Sequence, residues 1–183
     1  MVLKFRGHEI DDKDLKYEKT ETVHIKDNFL PEPTFKSIQS RMMGREFPWY
    51  WIPAAVSGAK KKESHPQFIY MFYEERKRYG ENELFPLMEP LIKKLEAKEL
   101  IRIKANLTTR TLFHRKGGYH IDYPNVKTAV YYINTNNGST QFQNGPSVES
   151  LENTMVLFNS NLLHSGKTCT DQERRVVINF NYI

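Results

Sequence analysis

From Leu100 to its end the chain is a series of short β-type segments, at 101–109, 128–133, 140–142, 154–158 and 174–182, rich in Val, Ile, Thr, Tyr and Phe. Turn formers punctuate them at Gly117-Gly118, Asn136-Asn137-Gly138, Asn144-Gly145-Pro146 and Ser165-Gly166. That spacing is the one expected of an antiparallel sandwich or barrel. On the last segment the alternation places Arg175, Val177, Asn179 and Asn181 on one face and Arg174, Val176, Ile178, Phe180 and Tyr182 on the other.

The first half reads differently. Residues 22–25 suggest a short edge strand, and 34–43 place Phe35, Ile38, Met42 and Met43 near one helical face, with Gly44 as the stop. Phe47-Pro48-Trp49-Tyr50-Trp51 reads as a buried extended piece, and residues 57–65 as a mobile surface loop. The pattern predicts an amphipathic helix over 66–79, opened by Pro66, and a second from about Leu84 through Leu87, Met88, Leu91, Ile92 and Leu95, its start obscured by Pro86 and Pro90. The expected fold class is therefore α+β: a jelly-roll, cupin-like double-stranded β-helix over 101–183, backed by mostly helical support in 1–100. A length of 183 residues suits one domain spanning 1–183.

No window approaches the run of about 20 apolar residues that a bilayer span requires, and the N-terminus lacks the apolar stretch of a signal peptide, so a cytoplasmic location and no membrane partner are expected. The lone Cys169 excludes an internal disulfide and a multi-cysteine zinc cluster. A net charge of +5 mildly favours anionic partners, but the basic residues are spread along the chain rather than gathered into a phosphate-binding stripe.

Tyr119-His120-Ile121-Asp122-Tyr123 contains a His-x-Asp pair that extended backbone would turn to one side, as two ligands of one metal require. Alone it carries little weight: six histidines and 22 acidic residues in 183 positions give 6 × 22/183, about 0.7 chance pairs. A third candidate, His164, follows the strand-like segment at 154–158. Two His and one carboxylate leave three octahedral positions open, the facial triad of Fe(II) oxygenases, whereas a structural zinc site is closed. A dicarboxylate cosubstrate would also need a fixed cation, and Arg175 lies eleven residues after His164 on the polar-bearing face of the last strand.

These pieces fall in an ordered series: Tyr-His-Ile-Asp at 119–122, Val-Tyr-Tyr-Ile-Asn at 130–134, Asn-Asn-Gly-Ser-Thr-Gln-Phe at 136–142, His-Ser-Gly-Lys-Thr at 164–168 and Arg-Val-Val-Ile-Asn-Phe at 175–180. The series resembles the prolyl 4-hydroxylase-like branch of the 2-oxoglutarate/Fe(II) dioxygenase superfamily over roughly the C-terminal half. The resemblance implies Fe(II) held by His120, Asp122 and His164, 2-oxoglutarate as cosubstrate bound by Arg175 and Tyr132, and O2 as oxidant. It also points to Asn106 as a residue lining the same pocket, and to Tyr131 as facing the opposite way. Two departures, Asn-Gly-Ser-Thr at 137–140 where the family has Gly-Gly-Glu-Thr and a longer segment after His164, touch no ligand and bear on substrate choice.

The implied reaction is hydroxylation of an unactivated C–H bond with release of succinate and CO2. Peptidyl-prolyl or a related peptide or protein substrate comes first by the resemblance, and a small molecule stays open. The alternatives are an alkylated nucleic-acid base demethylase, weakened because that branch's paired downstream arginines are not seen at their usual spacing, and a jelly-roll metal-binding module without turnover. Trp49, Trp51 and the loop at 57–65 are candidates for a substrate wall and lid. Of the other histidines, His8 sits in a polar tail, His24 and His65 have no partner pattern, and His114 lacks a carboxylate at the right offset. Oligomeric state is not legible.

Overall fold

The computed structural model describes residues 22–53, 66–79 and 83–183, and the backbone alone of 3–5 and 8–10. Strands β1 (Leu3–Phe5) and β2 (His8–Ile10) form a two-stranded antiparallel ribbon. The remaining strands are β3 (His24–Lys26), β4 (Tyr50–Ile52), β5 (Gln67–Glu74), β6 (Lys77–Arg78), β7 (Leu100–Thr109), β8 (Lys127–Tyr132), β9 (Asn136–Phe142), β10 (Ser147–Ser150), β11 (Thr154–Asn159), β12 (His164–Lys167) and β13 (Arg174–Tyr182). They make an eight-stranded sheet, ordered β3-β11-β8-β13-β7-β5-β4 with β6 paired to β5, and a three-stranded sheet ordered β10-β9-β12. All pairings are antiparallel. The expected jelly roll is the observed architecture.

The alternation on β13 explains the layering. Val176, Ile178, Phe180 and Tyr182 face a large core shared with Tyr131 of β8 and Ile103, Ala105 and Leu107 of β7. Helix α1 (Glu32–Met43) closes that core with Phe35, Ile38 and Met42, and helix α2 (Glu89–Leu95) with Leu91 and Leu95. Each such side chain contributes about 1.5–3 kcal/mol of burial. Val177, on the opposite face, joins Val130, Tyr132, Phe142, Val148, Val156 and Phe158 in a smaller core between the two sheets. The inner face is therefore apolar at one end and free to carry polar groups elsewhere.

Helix α1 begins two residues before the expected start and ends, as expected, before Gly44. The second helix is split: a 3-10 turn over Phe85–Met88 absorbs Pro86, and α2 starts at Glu89 with Pro90 in its first turn, where a missing N–H costs nothing. Residues 66–79 do not form the expected helix. They form the hairpin of β5 and β6, whose two-residue loop Glu75-Arg76 has φ of 50° and 65°, the paired positive values of a type I′ turn. Nothing in Glu-Arg signals that turn, and a run of Phe, Ile, Tyr, Met, Phe and Tyr is apolar at both periodicities; pairing with β7 and β4 decides.

Two expected turns are strand instead: Asn136-Asn137-Gly138 lies in β9 and Ser165-Gly166 in β12. The piece at 47–51 is only partly buried, since Phe47 is in the core while Tyr50 and Trp51 are each 60% exposed. The loop at 57–65 lies outside the described residues. No helix among the described residues is long and apolar enough to cross a membrane.

Candidate functional site

His120 and His164 are held backbone to backbone by a bridge, His120 N–H to His164 O at 3.0 Å and His164 N–H to His120 O at 3.1 Å. His164 opens β12, while His120 and Asp122 sit in an irregular extended segment rather than a regular strand. Each imidazole Nδ1 lies beside the carbonyl two residues earlier, Gly118 at 3.1 Å and Leu162 at 3.0 Å. A carbonyl only accepts, so both Nδ1 atoms carry the proton and both Nε2 atoms present lone pairs.

Those two Nε2 atoms and the Asp122 carboxylate gather within 4.8 Å of one another. His120 Nε2 is 3.7 Å from Asp122 Oδ1, too long for a hydrogen bond, and the buried His164 Nε2 has no hydrogen-bond partner among the described residues. Two imidazole lone pairs and a carboxylate, one buried and two half-buried, facing one another with no proton to share between them fit a common cation. Burial first, then the neighbouring His164, pushes the His120 imidazole down to about 4, so it is neutral and ready to ligate at ordinary pH. Burial works against the charge on Asp122, but the Arg102 guanidinium and then the two imidazoles outweigh it, holding the carboxyl well below the usual range. Arg102 Nη2 lies 2.8 Å from Asp122 Oδ2 in an ion pair.

Arg175 is buried at the start of β13. Its Nε donates to Ser150 Oγ of β10 at 2.8 Å and its Nη2 to Thr140 Oγ1 of β9 at 3.2 Å. Its guanidinium carbon lies 5.6 Å from the centre of the Tyr132 ring. Among the described residues no carboxylate pairs with it, and burial lowers its pKa. A buried guanidinium without a counter-ion favours an incoming anion. Arg174 leaves on the other face, donating to the Met43 carbonyl at 2.6 Å.

Tyr132 is fully buried beside Arg175, its hydroxyl 3.4 Å from the Val148 carbonyl, and burial raises its pKa. Tyr131 points into the helix-side core and donates to Asn153 Oδ1 at 2.6 Å, as the alternation expects. Asn106 shares the inner face, but it lies across Val177 from Tyr132 and accepts from Gln67 Nε2 at 3.3 Å. Arg175 reaches Thr140, whereas Phe142 pairs with His164; the anion pocket and the histidine pair are thus two residues apart along β9, about 7 Å.

The structure brings together His120, Asp122 and His164, and separately Arg175 and Tyr132. Trp49 packs on Phe47 at the edge of the helix-side core. Trp51 pairs with Phe68, itself opposite Leu107 of that core, so it projects away from the site. Neither forms a substrate wall. His114 is exposed, with Nδ1 2.7 Å from the Thr168 carbonyl and outside the cluster; His24 is exposed on β3. Cys169 is a buried loop residue whose thiol burial pushes up. The sequence reading missed Arg102 and Lys104. Their signal was present: Arg102, Lys104, Asn106 and Thr108 alternate with Ile103, Ala105 and Leu107 on β7.

No family model matches the chain, and neither does any curated protein. Solved structures do. The viral collagen prolyl hydroxylase of Paramecium bursaria Chlorella virus-1, in its 2-oxoglutarate complex, is 13% identical over 87% of this chain and 94% of its own, with a TM-score of 0.56. The prolyl hydroxylase from Trichoplax adhaerens, bound to a hypoxia-inducible-factor peptide fragment, is 12% identical over 90% and 84%, with a TM-score of 0.65. HygX from Streptomyces hygroscopicus, with nickel, 2-oxoglutarate and hygromycin B, is 12% identical over 89% and 83%, with a TM-score of 0.56. This chain therefore has the fold of prolyl hydroxylases and other 2-oxoglutarate-dependent oxygenases.

Proposed function

We propose that the chain is an Fe(II)- and 2-oxoglutarate-dependent hydroxylase, with His120, Asp122 and His164 as metal ligands and Arg175 and Tyr132 as the cosubstrate anchor. One observation carries the reading: the converging acceptors of His120, Asp122 and His164 lie about 7 Å along β9 from a buried arginine that has no counter-ion among the described residues. A five-carbon dicarboxylate bridges that span. When bound, the iron and 2-oxoglutarate supply the oxidising power for C–H hydroxylation with O2, releasing succinate and CO2.

The chain's own residues do the holding and orienting. The Gly118 and Leu162 carbonyls fix both imidazoles with Nε2 toward the centre, and Arg102 fixes the Asp122 carboxylate. Ser150 and Thr140 hold the Arg175 fork in one orientation, so little freedom is lost when a carboxylate arrives. The apolar packing of Val130, Val156, Phe158 and Val177 keeps water from the far side.

For substrate we infer a peptidyl-prolyl or related group, supported by the two prolyl hydroxylases of the same fold. A small-molecule substrate is the second reading, supported by HygX with its bound hygromycin B. Succinate release from 2-oxoglutarate, measured with and without Fe(II), tests the chemistry. The release should require both and vanish in His120→Ala; Asp122→Ala should lose metal retention, and Arg175→Ala should raise the 2-oxoglutarate requirement. Metal binding without succinate under every substrate condition would point to the non-catalytic module instead.

A further inference from the structure

Lys104 lies on the inner face of β7, two residues from Arg102 and two from Asn106, while Ile103 and Ala105 on either side are fully buried in the helix-side core. Its cross-strand neighbours are Asn179 of β13 and Met71 of β5, neither of them acidic. Its two inner-face neighbours are already engaged, Arg102 with Asp122 at 2.8 Å and Asn106 with Gln67 at 3.3 Å. The Lys104 ammonium makes no hydrogen bond or ion pair to any described residue. The side chain is half-buried, and burial first, then the Arg102 charge, lower its pKa to about 8, with Asp122 and Glu74 pulling the other way.

The charges around this face do not cancel. A divalent metal with Arg102, Lys104 and Arg175 brings five positive charges. Asp122 and Glu74 bring two negative, and 2-oxoglutarate two more. One positive charge is left over. Arg175 accounts for the far end of the cosubstrate, and Arg102 is committed to Asp122 and stacked 5.1 Å from the Tyr123 ring. Glu74 accepts the Tyr123 hydroxyl at 2.9 Å. Of the three cations, Arg102 has its ion pair and Arg175 its hydroxyl partners, and only the Lys104 ammonium has no direct partner among the described residues.

Resting on the oxygenase reading above, we propose that Lys104 is a substrate-specificity residue: it receives a carboxylate of the substrate, whether an acidic side chain or terminus of a peptide or the carboxylate of a free amino acid. The reacting carbon then lies between that carboxylate and the metal. Lysine suits the task as a point charge on a flexible stem, which tolerates different carboxylate orientations where the Arg175 fork demands one.

The test is a paired-compound screen on the Fe(II)-loaded protein. Free amino acids and proline-containing peptides with an Asp, Glu or C-terminal carboxylate are each matched with the corresponding amide. Stimulation of succinate release above the substrate-free rate is read for each member. The free amino acids and the peptides form separate arms, which identify the source of the carboxylate. At least one acid should exceed its amide about 10-fold or more, the size of a charge-assisted contact. Lys104→Met should reduce the ratio to near one, and Lys104→Arg should keep most of it. As a readout independent of turnover, the same acid, but not its amide, should raise the melting temperature of the Zn(II)- and 2-oxoglutarate-loaded wild type and not of Lys104→Met.

Three outcomes overturn the proposal: amides matching their acids, an acid preference that survives in Lys104→Met, or no carboxylate in the panel raising turnover. A Lys104→Met variant that instead needs more 2-oxoglutarate would also overturn it, by placing Lys104 on the cosubstrate. Absence of metal binding and of substrate-free succinate release in the wild type would defeat the oxygenase reading itself, which the first measurements distinguish.

Discussion

Replacing Gly138 with alanine probes how closely the strands approach around Arg175. A Cβ at that position would sit 2.6 Å from Arg175 Cδ, 2.8 Å from Asn136 Oδ1 and 2.8 Å from the Lys167 carbonyl oxygen. Ordinary contact begins near 3.4 Å, so the arginine stem must retreat by about 0.8 Å and the two oxygens by about 0.6 Å. None yields easily. Arg175 is tied at Nε and Nη2, the Lys167 carbonyl is strand backbone, and Asn136 Oδ1 accepts the Gly138 N–H at 3.0 Å. Overpacking of this kind costs about 1–3 kcal/mol, which lowers the melting temperature of a chain this size by about 2–12 °C.

The same displacement moves the guanidinium, and a shift approaching 1 Å in a positioning group costs up to about 100-fold. Gly138→Ala should therefore raise the 2-oxoglutarate concentration for half-maximal succinate release by about 10-fold or more. Calorimetry gives the first quantity and a cosubstrate titration the second. Gly117→Ala is the control, since its nearest contact is an ordinary 3.4 Å to Ser165 Oγ. A Gly138→Ala protein that melts and titrates like wild type would refute the steric argument.

Two further perturbations follow from buried polar groups. Arg102→Met strands the Asp122 carboxylate without its cation; breaking such a pair costs about 3–5 kcal/mol, and thermal melts should find the loss in metal-free protein and much less of it with a divalent ion added. An unchanged metal-free melting temperature would count against the ion pair. Asn153→Ala removes the amide that accepts from Leu30 N and Tyr131 Oη and donates to Leu30 O, at a residue whose φ of 56° also disfavours alanine. A loss of about 3 kcal/mol or more is expected in denaturant unfolding, with Asn153→Gly recovering only the backbone share.

What the sequence determined by itself is the part written in short-range periodicity and in residue chemistry. The two faces of β13, the opposed Tyr131 and Tyr132, helix α1 with its stop at Gly44, and the gathering of His120, Asp122 and His164 were legible because each depends on local alternation or on an ordered motif. Residues 66–79 were not. Their aromatic run satisfies both periods, and only the positive φ of Glu75 and Arg76 and the flanking β7 and β4 select a hairpin. Gly138 and Gly166 carry turn-like composition yet lie within strands; at Gly138 the close packing of Arg175 and Lys167 leaves no room for a side chain. Arg102 and Lys104 alternate visibly on β7, but the charge that Arg102 answers was hidden until folding brought Asp122, twenty residues away, against it. Local pattern fixes what faces inward; which inward groups meet is a long-range matter that the two packed sheets decide.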